Sequence, residues 1–223
     1  MSVLGLNDIL VGFICLSLVP LVASLYLRRF GKPNEIFKAS MLGQLLALVT
    51  ALLYLYFEDR LLLIFRIEGR GWIAFLLTPI ATVSLTSLIS LLKKDMEGPL
   101  GQVVKNVRMS VLAASALILA PITEELMFRG LIQWGMTGLV GKFPALIFSS
   151  LLFALSHAKI IELKLIPLVF VQGVMLGLPV AVVQSLSPSI LAHSTANLPG
   201  VLLAYRSRQR VADLTKPEER EPM

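Results

Sequence analysis

Residues 107–134 read VRMSVLAASALILAPITEELMFRGLIQW, and their reading decides that of the rest of the chain. From Met109 on, the stretch is long, apolar around its whole circumference, and broken by Glu124, Glu125 and Arg129. A helix on the surface of a soluble domain would instead keep its apolar residues to one stripe. Where lipid replaces water, each backbone N–H and C=O must be satisfied inside its own segment, so such a run reads as a spanning helix. A barrel strand would alternate apolar and polar residues over about ten positions, and this stretch does not.

The pattern repeats on both sides. Toward the N-terminus lie apolar runs over Ile9–Leu27, Ala39–Phe57 and Trp72–Leu92. Toward the C-terminus lie Phe143–His157, Leu165–Val183 and Ser189–Tyr205. Of 223 residues, 56% are hydrophobic and 15% charged, against about 25% charged in soluble domains, and the mean hydropathy is +0.81. The expectation is an all-α, polytopic membrane protein of seven transmembrane helices, or eight if the apolar patch Leu61–Phe65 adds one. Residues 1–106 would supply N-terminal helices and loops, 107–205 a core carrying the motifs described next, and 206–223 a disordered cytoplasmic tail rich in Pro and Glu.

The net charge of +6 would suggest nucleic acid in a soluble protein. Here the basic residues fall mainly between apolar runs and in the tail, which fits orientation by the positive-inside rule. The reading is a multi-pass protein with its N-terminus out and C-terminus in, held in membrane lipid, with no nucleic acid partner and a prokaryotic plasma membrane as its expected place. The loop 58–70 strains this orientation, since it carries Arg60, Arg66 and Arg70 and would face out. The first run lacks a basic leader and a small-residue cleavage site, so it reads as a retained helix. Cys15 is the single cysteine, which excludes an intrachain disulfide and a Cys-based zinc motif.

Ionisable groups inside spanning segments are costly and by default functional. This chain gathers them in three places. In Ala120–Gly130, Glu125 and Arg129 are four apart with the acid first, the favourable order for a helical ion pair. Glu124 points about 100° away, so the two acids read as doing different work, with Glu124 a general base on water. In Phe153–His157 and again in His193–Asn197, two residues share a face at i, i+4. His193 and Asn197 are types that can donate to a developing oxyanion, and a histidine can ligate a metal. The chain has two histidines, and both lie in or at the end of apolar runs. Simple counting places Glu124 and His193 toward the outer half of their helices and His157 near the inner end, so a joint site requires broken or tilted helices; Pro121 offers a break. Gly173 and Gly177 read as a close-packing pair within the chain.

Glu-Glu-x-x-x-Arg, Phe-x-x-x-His and His-x-x-x-Asn, in that order over Met109–Tyr205, resemble the CAAX prenyl protease and bacteriocin-processing family, also called Abi, of intramembrane proteases. The resemblance implies an endopeptidase acting on a peptide or prenylated protein. By it, Glu124 is the water-activating base, Glu125 and Arg129 the supporting pair, His157 a partner in positioning the water, and His193 and Asn197 the oxyanion site. It leaves two mechanisms open: zinc or another divalent metal held by Glu124, His157 and His193, or direct activation of water without metal. Two other functions compete. An ion-coupled transporter using Glu124 and His157 as a relay is disfavoured by the lack of an internal repeat. A non-catalytic scaffold or immunity protein on the same fold would have no need of six motif residues.

Overall fold

The computed structural model describes residues 3–30, 35–69, 71–92, 107–158 and 161–214. Seven helical segments account for nearly all of them: α1 (Val3–Phe30), α2 (Ile36–Phe57), α3 (Gly71–Leu92), α4 (Met109–Val140), α5 (Lys142–Ser156), α6 (Ile166–Val183) and α7 (Ser187–Leu214). Among the described residues there are no strands. Four helices are long and apolar enough to cross a membrane: most of α1, then α2, α4 and the segment Leu163–Val183 that contains α6. Large apolar side chains such as Leu21, Leu53, Leu76, Phe143 and Val182 point outward, which suits lipid and not water. The chain is an integral membrane protein.

Several boundaries differ from the sequence expectation, each for a physical reason. Leu63–Phe65 forms a single short 3-10 turn with Ile64 buried, not an eighth spanning helix. α4 runs on through Gly135 and Gly138 to Val140 and stops at Gly141, whose φ of 89° suits glycine. A Cβ at Gly135 would meet the Gly5 carbonyl oxygen at 2.6 Å, so that glycine serves the close approach of α1. Residues 206–214, expected to be disordered, continue α7, and the rest of the tail lies outside the described residues. So do most of the basic loops at 31–34 and 93–106 on which the orientation was argued.

The core is built around α4. Leu126, Phe128, Leu131 and Ile132 are buried against Cys15, Leu55, Phe153, Leu176 and Leu186. Two packing devices bind helices to it. The first is a ladder between α4 and α6. Arg129 Nη2 donates to the Gly173 carbonyl at 2.9 Å, and one turn on, Gln133 Nε2 donates to the Gly177 carbonyl at 2.8 Å. A Cβ on Gly177 would lie 2.5 Å from Leu146 and 2.6 Å from the Gln133 oxygen, so the glycine pair admits α4 and α5 together, as the close-packing reading held. The second is a polar knot just beyond the Gln133 rung, where α1 and α2 meet α4. Asp8, buried in α1, accepts from Arg60 Nη1 at 2.7 and 2.8 Å and from Tyr54 Oη at 2.8 Å, while the Arg60 guanidinium lies over the Trp134 ring.

Candidate active site

The site forms where α4 departs from α-helical geometry. Pro121 has no N–H, and its ring would crowd the Leu117 carbonyl one turn earlier. The chain relieves this by widening: Ser115–Leu119 is a π-helical turn in which the Ala120 N–H reaches back to the Ser115 carbonyl. A short α stretch, Ala120–Glu125, carries the two acids, and a second π segment follows over Leu126–Gln133. Such wide turns concentrate at functional sites.

α4 has 32 residues and α5 only 15. Running back from Gly141, α5 therefore ends beside the middle of α4, not at its far end. His157, which follows the last residue of α5, meets Glu124 there. That length difference resolves the depth conflict left by counting residues.

Glu125 and Arg129 are both fully buried, and Arg129 Nε stands 3.3 Å from Glu125 Oε2. The guanidinium also covers the Phe153 ring at 4.5 Å from its centroid. The second Glu125 oxygen, Oε1, lies 2.8 Å from His193 Nδ1. A carboxylate only accepts, so His193 Nδ1 carries the proton. The His157 Nδ1 lies 2.8 Å from the Phe153 carbonyl oxygen, another pure acceptor, and so carries its proton as well. When the rings are neutral, both Nε2 atoms are left with lone pairs.

Both Nε2 atoms face the same group. His157 Nε2 and His193 Nε2 each stand 3.8 Å from Glu124 Oε2. Glu124 Oε2 is buried and makes no hydrogen bond within the protein, although the Glu124 side chain retains 17% exposure and His157 21%. Three acceptor atoms thus converge at a spacing too long for direct hydrogen bonds and suited to a bridging water. The structure brings Glu124, Glu125, Arg129, His157 and His193 into one cluster. Asn197 is set beside it: its Nδ2 donates to the Ala116 carbonyl at 2.8 Å, in the first π turn.

Glu124, His157 and His193 are also the candidate metal ligands. Donors about 2.0–2.1 Å from a tetrahedral zinc stand roughly 3.4 Å apart, closer than the two separations here. Among the described residues no group of three or more His, Cys, Asp or Glu side chains is disposed to hold a metal ion. The donor types suit zinc; their spacing as placed does not.

The sequence reading missed two polar members of this architecture. Gln133, fully buried, lies four residues beyond Arg129 and repeats its contact with α6; its signal was a lone amide in an apolar run. Asp8 was a lone acid at the edge of the first run, and its partner Arg60 sits too far along the chain for spacing to link them.

Searches of curated proteins and of solved structures gave no match. The family comparison did: residues 106–199, which hold all six candidate site residues, match the model described as Type II CAAX prenyl endopeptidase Rce1-like. Over that segment the chain resembles a family of proteases, the type II CAAX prenyl endopeptidases.

Proposed function

We propose that this protein is an intramembrane endopeptidase in which Glu124 activates a water for attack on a peptide bond. The observation that carries the reading is the convergence of Glu124 Oε2 with two histidine Nε2 atoms, each at 3.8 Å. Every other hydrogen-bonding atom of the two rings is already committed, so both rings are aimed at the same spot.

The chemistry follows from the protonation states. A water between Glu124 and His157 loses a proton to the Glu124 carboxylate as its oxygen bonds to the carbonyl carbon. The carbonyl oxygen takes the negative charge of the tetrahedral intermediate. His193 can donate to that oxygen only as an imidazolium, with its Nδ1 proton held by Glu125. The C–N bond then breaks, and the proton returns to the amine nitrogen from Glu124 directly or through a histidine. Arg129 keeps Glu125 from being an unbalanced buried charge. The substrate is a peptide or protein held at the membrane, and a prenylated C-terminus is the class the family resemblance favours.

The test is cleavage of a membrane-peptide library, prenylated and unprenylated, by purified wild type and Glu124→Gln, read by mass spectrometry with and without chelator. Wild type is expected to cleave. Glu124→Gln should insert and fold normally yet lose at least about 10²–10⁴-fold in rate, the usual worth of a general base. Full turnover by Glu124→Gln would remove the base assignment. Loss of activity with chelator, restored by zinc, would replace direct water activation by a metal-bound water.

A further inference from the structure

We propose that Asn197 is a positioning residue: its amide supplies the hydrogen bond that Pro121 cannot, and so fixes the turn of α4 that aims Glu124. The consequence for catalysis rests on the endopeptidase reading; the hydrogen-bond replacement itself does not.

In the first π turn the Ala120 N–H is spent on the Ser115 carbonyl, five residues back. The next bond of that series would run from residue 121 to the Ala116 carbonyl, and Pro121 has no N–H to give. The Ala116 carbonyl therefore has no donor within its own helix. In an apolar membrane interior such a group is costly to leave bare. The Asn197 Nδ2 donates to it at 2.8 Å across the helix interface. Four residues earlier on α7, the His193 ring holds Glu125 at 2.8 Å. α7 thus grips α4 on both sides of the proline, at Ala116 and at Glu125, and Glu124 lies between the two grips. Its spacing from His157 and His193 depends on that stretch keeping its geometry, and displacements of about 1 Å can cost a catalytic arrangement about 10²-fold.

The pairing makes an unusual demand, because a substitution at Pro121 should repair one at Asn197. Pro121→Ala returns a backbone N–H where the Ala116 carbonyl needs one. Wild type, Asn197→Ala, Pro121→Ala and the double variant would be compared by kcat, KM and thermal unfolding midpoint in detergent micelles. Asn197→Ala is expected to lower kcat about 10²-fold with KM little changed, and to lower the midpoint. Asn197→Asp, which keeps the shape without the donor, should behave alike. Adding Pro121→Ala to Asn197→Ala should recover at least about tenfold in kcat and much of the midpoint, a coupling that independent sites would not show. An amide that instead touched the reacting carbonyl would leave kcat unrecovered, and strict additivity of the midpoints would overturn the proposal outright. Should wild type cleave nothing, the endopeptidase reading fails while the midpoints still decide this one. Hydrogen exchange of the Ala120 and Ile122–Glu125 amides covers variants at Pro121 that do not fold: Asn197→Ala should speed it, and unchanged exchange counts against the proposal.

Discussion

Arg129 has no solvent exposure and places its charge among Glu125, the Gly173 carbonyl and the Phe153 ring. Removing one member of a buried pair leaves the other charge stranded, which typically costs about 3–5 kcal/mol. Arg129→Ala should therefore act on stability first, seen as a lower unfolding midpoint and poor recovery from the membrane, with lost activity following from that. Glu124→Gln belongs to the other class, because Glu124 Oε2 has no hydrogen-bond partner in the protein to lose. A Glu124→Gln protein as unstable as Arg129→Ala would contradict this division. The division between the acids was legible in the sequence, since adjacent helical positions diverge by about 100°. The bond between Glu125 and His193 was not, because 68 residues separate them and no local spacing encodes which helix faces which.

At the scale of helices, α6 packs too closely at Gly177 to accept a side chain unless a neighbour moves. Gly177→Ala would place a methyl 2.5 Å from Leu146 and 2.6 Å from the Gln133 oxygen. Overpacking of this kind typically costs about 1–3 kcal/mol, and here it also pushes apart the Gln133 bond to α6. Gly200→Ala on α7 is the control, since nothing lies within 4 Å of its Cβ position. A thermal midpoint lowered by the first and little changed by the second is the expected result, measured on purified protein in detergent. Equal effects would mean that the α4–α6 ladder carries no weight. The glycine pair and the helix runs could be read from the chain because both are local patterns. The π turns could not: Pro121 announces a break, but whether a helix kinks, stops or widens depends on what its neighbours offer. Asn197 is what α7 offers here.

Across the whole molecule, the Glu124 cluster sits beside the middle of α4 and the Asp8–Arg60 knot nearer its C-terminal end. The knot ties α1, α2 and the loop after α2 to Trp134 near the end of α4. Asp8→Asn and Arg60→Ala should each destabilise, and the double variant should lose less than their sum, since each alone strands its partner. Unfolding midpoints of the four proteins measure that coupling; additive losses would mean that the pair is not held as described. An all-helical, membrane-spanning architecture was legible from hydropathy, whereas the site's depth was not. Depth depended on one length, that of α5.

Fifteen helical residues reach about 22 Å, and the hydrocarbon layer is about 30 Å thick. A leaflet bordering the end of α5 would have to thin to meet a helix surface this short. On the endopeptidase reading, headgroups and a substrate tethered among them would then stand nearer the level of Glu124. On that reading, a shortened helix would let a membrane-anchored chain present a polar peptide bond deep in the protein without crossing a full apolar layer.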